Sequence, residues 1–276
     1  MRSIALAAVL SLFAAAPAVA FDACVRGLER AAVERGVSPA VASRAFAEAE
    51  RDARVLELAN RRPEFTLQIW DYMAFLVDEE RVRDGRAMRD RHADLLAEIE
   101  GRYGVDRHVV LAIWGIETDY GRRTGGHFLP HSLATLICAG DRRRDFWRSE
   151  LMAAMELVAA GDLELDALYG SWAGAFGHTQ FIPTSYHRLA VDFDGDGRRD
   201  LVGSIPDALA STANYLVRAG WRTGAPFMIE VTTPRGYAGP TGRDAKATLE
   251  RWDARGVRRA DGSRLTGAGR AGLLLP

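Results

Sequence analysis

Val109-Val110-Leu111-Ala112-Ile113-Trp114-Gly115-Ile116-Glu117 is an apolar run that ends on a carboxylate. Asp106 stands before it as a cap, and the run predicts a helix over Val109–Ile116. Val110, Ile113, Trp114 and Glu117 recur at helical spacing and share one face. A carboxyl that continues an apolar face is partly desolvated. Desolvation raises its pKa and suits it to general acid work near neutral pH. A Glu at the rim of a core face, reaching out to solvent, fits the same pattern. Asp119 comes two positions later, so a continued helix turns it to another face and makes it a poor second catalytic carboxylate. Most glycosidases use a facing pair. A lone Glu117 would need its substrate to supply the second group.

Outward from this run the chain reads as mainly α. Phe21–Gly36 predicts a helix closed by its glycine, and Ser38-Pro39 opens another. Arg61-Arg62-Pro63 breaks the pattern. Thr66–Tyr103 predicts a long charged helical stretch with an interruption near Gly85. Phe146–Ala160 and Pro206–Ala219 predict further helices, ended by Gly161 and Gly220. Phe227–Thr233 is the best strand candidate, rich in β-branched residues. The tail from Gly236 shows no long periodic segment. These readings divide the chain into residues 21–104, a helical lobe; 105–221, a catalytic core with an acidic loop at 192–207; and 222–276, a β-containing segment.

The 276 residues are 48% apolar and 26% charged, with a formal net charge of -1. Those values exclude disorder, and the near-zero charge argues against a nucleic-acid partner. Residues 1–20 read as a targeting segment: Arg2, an apolar stretch Ile4–Ala16, then Ala18-Val19-Ala20 as a small-x-small cleavage site. The stretch is too short for a membrane span. Export predicts a soluble periplasmic protein. It also places Cys24 and Cys138 in an oxidising compartment, where a bridge is expected and two buried free thiols are the alternative.

Two further segments carry chemistry. Gly170–Tyr186 is dense in small residues that permit close backbone approach. Ser171, Gln180 and Tyr186 offer neutral hydrogen bonds, and Trp172 and Phe181 offer stacking surface, a mixture that suits a sugar. A tight helix-turn-helix connection would read the same way. Asp192-Phe193-Asp194-Gly195-Asp196-Gly197-Arg198 matches the start of a calcium loop: acidic ligands at positions one, three and five, then glycine at six. Arg198 at position seven would give only its carbonyl. Position twelve is Gly203 where a bidentate Glu is expected, and Asp207 could close the shell in a longer loop. A solvated acidic turn is the alternative. The chain has no nucleophile elbow, zinc-binding helix, phosphate loop or dinucleotide fingerprint.

Together these motifs resemble the lytic murein transglycosylase B family. The likeness runs through Trp114–Gly121, Ser132–Leu136, Arg142-Arg143, Ala173–Gly177, Gln180–Pro183, the acidic loop and Ala213–Leu216. The resemblance implies a lysozyme-like, mainly helical fold with an EF-hand-like calcium loop. It implies cleavage of the MurNAc–GlcNAc β-1,4 bond of peptidoglycan without water, leaving a 1,6-anhydro-MurNAc end. By matched position, Glu117 would be the single acid/base. Ser171, Gln180 and Tyr215 would line the sugar groove, with Arg142 and Arg143 as a basic pair near it. Asp192, Asp194, Asp196, Arg198 and Asp207 would hold a structural Ca2+. The partner would be peptidoglycan glycan strands, met by a monomer without a membrane span. The family continues past the region of Leu273–Leu275 into a segment that completes the groove, so a chain ending at Pro276 is expected to be slower. A water-using muramidase on the same fold and a non-catalytic calcium-dependent wall-binding protein are the rival readings.

Overall fold

The computed structural model describes residues 17–61, 69–140 and 142–275. Most of the expected targeting segment and the Arg62-Pro63 break lie outside the described residues, as do Thr66–Gln68. In chain order the helices are α1 (Pro17–Glu34), α2 (Pro39–Phe46), α3 (Ala53–Asn60), α4 (Ile69–Leu76), α5 (Glu79–Arg91), α6 (Ala93–Tyr103), α7 (Arg107–Thr118), α8 (Leu129–Cys138), α9 (Arg144–Ala159), α10 (Pro183–Leu189), α11 (Ile205–Arg218) and α12 (Leu249–Ala254). The strands are short: β1 (His127–Phe128), β2 (Tyr169–Gly170), β3 (Val231–Thr232), β4 (Gly242–Thr248), β5 (Arg258–Arg259) and β6 (Arg270–Leu273). Two compact units result, one of residues up to 63 and 77–221, the other of 64–76 and 222–276.

In the larger unit, side chains cap several helices, at Ser38 as the sequence predicts. Ser38 Oγ accepts the amide of Val41 before α2, and Asp52 caps α3. Phe21, Val25, Leu28 and Ala32 recur along α1 at helical spacing, and all are buried. They join Leu129, Leu133, Leu136 and Ile137 of α8 and Leu151, Met152 and Met155 of α9 in one core. Each such aliphatic side chain contributes about 1.5–3 kcal/mol when fully buried. Cys24 of α1 and Cys138 of α8 are joined by a disulfide. A second core in the same unit gathers Leu96, Ile99, Val110, Leu111, Trp114, Leu209, Ala210 and Ala213 from α6, α7 and α11.

The long charged stretch breaks elsewhere than expected. Asp78 caps α5 and His92 separates α5 from α6, while Gly85 sits inside α5. The glycine is there for space. A Cβ on Gly85 would lie 2.4 Å from Tyr120 Oη, and one on Gly115 of α7 would lie 2.6 Å from the same atom. The two helices thus close on one tyrosine ring, whose hydroxyl donates to Arg81 O at 3.0 Å.

In the smaller unit β3 pairs with β5 and β4 with β6, both antiparallel. The strand expected over Phe227–Thr233 shrinks to Val231–Thr232, because only two residues, Arg258 and Arg259, pair with it. Phe227 and Met228 stand exposed instead. The tail from Gly236 is structured after all. Trp252 of α12 is buried beside Ala247, Leu265 and Leu273, and its Nε1 donates to Ala271 O at 2.7 Å.

Candidate active site

Asp106 Oδ1 accepts the amide of His108 at 2.7 Å and so starts α7. Val110 and Trp114 bury its face, and the helix ends one residue beyond Glu117, at Thr118. Asp119 then turns left-handed (φ 54°), followed by Tyr120 (φ 59°) and Gly121 (φ 85°). The ending places the Glu117 carboxyl in the last turn, where the negative end of the helix dipole opposes ionisation. Burial pushes the Glu117 pKa up from its ordinary value. The side chain nevertheless keeps accessible surface. Both hold for a carboxyl that is open on one side and crowded by protein on the others. Among the described residues it has no hydrogen-bonding or ion-pair partner.

Asp119 is excluded as a second catalytic carboxylate for a different reason from the one expected. The helix does not continue. Instead Arg122 grips both Asp119 oxygens at 2.8 and 3.1 Å, and Arg81 and Arg123 stand 3.7 and 3.8 Å away. The Arg122 hydrogen bonds hold the Asp119 pKa below the usual carboxylate range.

The segment facing the end of α7 is an irregular turn, not a helix-turn-helix. β1 pairs with β2, and isolated bridges join Gly170 to Phe176 and Phe176 to Phe181. Gly125 approaches so closely that a Cβ there would lie 2.2 Å from Gly170 C and O. Thr118 Oγ1 donates to His178 O at 2.6 Å, and Trp114 Nε1 donates to His178 Nδ1 at 3.2 Å. Gln180, left-handed at φ 52°, donates from Nε2 to Thr124 O at 2.9 Å and Gly177 O at 3.1 Å. Ser171 closes its own turn by accepting the Ala175 amide at 3.1 Å. Tyr215 of α11 is 45% exposed and meets Phe181 edge-on at 5.9 Å. These contacts lace Gln180, Tyr215 and the turn of Ser171 to the neighbourhood of α7.

Two aromatic expectations fail. Phe181 is buried and offers no free stacking face, and Tyr186 is fully buried, stacked on Phe176 at 5.7 Å, so its hydroxyl is not open to a ligand. Arg142 and Arg143 sit on a different turn, between α8 and α9, both exposed. Arg143 lays its guanidinium 3.9 Å over the Phe146 ring. A buried carboxylate that sequence reasoning missed, Glu150 of α9, accepts both the amide and the hydroxyl of Thr184, at 3.0 and 2.7 Å. It caps α10, whose own cap position, Ile182, has no side chain able to do so.

The acidic loop brings one oxygen each of Asp192, Asp194 and Asp196 within 4.8 Å of one another. Asp192 also accepts the amides of Gly195 and Gly197, at 2.7 and 2.9 Å, which curls the loop around it. Asp207 is fully buried and lies outside that trio. Its carboxylate accepts the amides of Phe193 (2.7 Å), Asp194 (3.4 Å) and Asp200 (2.8 Å). Burial raises its pKa against the pull of those donors. The Arg198 side chain turns to Glu164, 3.9 Å away. Two concavities of about 380 and 320 Å³, lined by residues such as Met228 and Arg259 in one and Ala93 and Arg107 in the other, do not include Glu117.

Comparison with known proteins gives a consistent picture. The sequence profile of a family described as a transglycosylase SLT domain matches residues 20–276. The membrane-bound lytic murein transglycosylase B of Escherichia coli (strain K12) is 36% identical over 155 residues, 55% of this chain and 42% of the relative. The matched part therefore spans less than half of that relative. The structure of SltB3 from Pseudomonas aeruginosa in complex with NAG-anhNAM-pentapeptide aligns with a TM-score of 0.85 at 41% identity, over 93% of this chain and 69% of that one. The lytic transglycosylase Slt35 of Escherichia coli in complex with calcium aligns with a TM-score of 0.79 at 28% identity, over 91% and 79% of the two chains.

Proposed function

The chain belongs to the transglycosylase SLT domain family, with a mainly helical, lysozyme-like fold, and from that premise we propose that it is a lytic transglycosylase of peptidoglycan. The observation that carries this reading is the isolation of Glu117: a carboxyl with a raised pKa, while the nearby Asp119 is neutralised by arginines. Asp119, its neighbour in sequence, is thus not free to serve as the second group of two-carboxylate hydrolysis.

One carboxyl suffices if the sugar helps. Glu117 gives its proton to the glycosidic oxygen of a MurNAc–GlcNAc β-1,4 link, and that bond breaks. The 2-acetamido oxygen of the same MurNAc stabilises the cationic C1 in place of a second carboxylate. Glu117, now ionised, takes the proton of the C6 hydroxyl, and O6 bonds to C1. The result is a 1,6-anhydro end with no water consumed and Glu117 restored to its acid form. Attack within one sugar ring has a large effective molarity, of order 10⁵ M or more in well-oriented cases. The bound strand must cover the open side of Glu117, or water competes. Ser171, Gln180 and Tyr215 are the neutral donors and ring proposed to line that strand, with Arg142 and Arg143 flanking it.

The acidic loop fits a structural Ca2+. Asp192, Asp194 and Asp196 would hold it with the Arg198 carbonyl. Asp207, outside the trio, would instead hold the loop in shape through the three amides it accepts. The ion would offset the crowding of like charges. The site of action proposed is the periplasm. Among the described residues no helix is long and apolar enough to cross a membrane.

The test is mass spectrometry of the products released from purified sacculi. Anhydro ends are expected. Reducing ends would instead show a hydrolytic muramidase, and uncleaved, bound sacculi a wall-binding protein; either result would overturn the reading.

A further inference from the structure

His178 has no part in the chemistry above, yet it grips the catalytic helix at two points. Its ring nitrogen Nδ1 takes the Trp114 indole N–H at 3.2 Å, and its carbonyl takes the Thr118 hydroxyl at 2.6 Å. Trp114 and Thr118 are the two ends of the turn that contains Glu117. The histidine amide in turn donates to Leu201 O at 2.9 Å, within the 192–207 loop. Thr118 is 1% exposed, and its hydroxyl also accepts the Gly121 amide at 3.0 Å. Space has been left for the ring: a Cβ on Gly121 would lie 2.4 Å from His178 Nδ1 and 2.5 Å from Cε1.

We infer that His178 is a positioning residue for Glu117, fixing the last turn of α7 by accepting hydrogen bonds at both of its ends. The Trp114 bond needs a lone pair on Nδ1, so the ring must be neutral with its proton on Nε2. Burial pushes the His178 pKa down and keeps it so, against the opposing charge of Asp200. The crowding that raises the Glu117 pKa depends on the turn holding still. If the turn loosens, water reaches the carboxyl and its pKa falls towards the ordinary value.

The kinetic arm of the test rests on the lytic reading; the titration arm does not. His178→Asn keeps an acceptor near the Nδ1 position, and His178→Leu keeps bulk without one. In the full chain, His178→Leu is expected to lower kcat roughly tenfold or more with KM nearly unchanged, as loss of alignment does. The alkaline limb of its kcat profile should move to lower pH. His178→Asn should restore both. Carbon-13 NMR titration of Glu117 reports the same shift without turnover, so a protein that proves not to form anhydro ends still decides the point. If His178→Leu fails to fold, Thr118→Val, with Thr118→Ser as its conservative control, removes the second grip and should show the same fall in the Glu117 pKa. A folded His178→Leu with wild-type kcat and Glu117 titration, or an Asn variant as impaired as the Leu one, would overturn the assignment.

Discussion

Gly115→Ala sets two effects against each other. In an exposed helix the change stabilises by about 1 kcal/mol, since alanine loses less backbone freedom. At Gly115 the new Cβ would meet three atoms of Tyr120: Cζ and Oη at 2.6 Å and Cε1 at 2.9 Å. The ring cannot retreat easily. Its hydroxyl is tied to Arg81 O, Gly85 closes the other side, and Trp114 stands edge-on at 5.6 Å. Overpacking of this kind costs roughly 1–3 kcal/mol. The net expectation is a loss of up to about 2 kcal/mol, or a Tm lower by several degrees for a unit of this size. Gly101 of α6 is the matched control, with nothing within 4 Å of its virtual Cβ. Gly101→Ala should raise Tm by about 2 °C, from propensity alone. Thermal unfolding of the three proteins side by side, followed by circular dichroism, decides it. A Gly115→Ala protein that melts with or above the wild type would refute the claim that α5 and α7 close on Tyr120. Gly115 lies two residues before Glu117, so turnover should fall in this variant and hold in Gly101→Ala.

Glu117→Gln should abolish cleavage and yet stabilise the fold. A raised folded-state pKa means that the folded chain holds the proton more tightly, so stability is lost as pH rises from the ordinary carboxyl value through the raised one. The variant should therefore out-melt the wild type at neutral pH and match it in acid; equal melting at both would contradict the raised pKa of Glu117. Calcium should raise Tm by mass action, about 2.7 kcal/mol at a hundredfold excess over Kd. Asp194→Ala should remove the response, and an unchanged midpoint between chelator and millimolar calcium counts against the site. Breaking the Cys24–Cys138 bridge, which spans 114 residues, should lower stability by roughly 2–5 kcal/mol on the chain-entropy view. Denaturant titration of Cys24→Ser with Cys138→Ser measures it, and a wild-type midpoint would show the bridge to be idle.

What the sequence made legible was local. Asp106 and the apolar run placed α7 to within a residue or two, because capping and helical spacing are written in adjacent residues. What holds its last turn was not legible, since Thr118 bonds to His178, 60 positions away. Gly85 was misread as a breaker for the same reason: its partner is Tyr120, far along the chain. His178 carried no signal beyond its place between Gly177 and Gln180. In the smaller unit β3 and β5 run to only two residues, too short for a period to show, and a register shift within β4 breaks its alternation. The acidic trio was legible from spacing, whereas the amide-holding part of Asp207 depends on a loop whose curl no spacing rule describes.

The smaller unit is assembled from two stretches, 64–76 and 222–276. A ribosome therefore delivers α4 long before the rest of that unit exists. At about 5–20 residues per second the wait is roughly 7–30 s. Through that interval α4 has none of the later strands of its own unit beside it. A cut after Trp221 would make the orphan permanent, leaving a helix whose companions were removed.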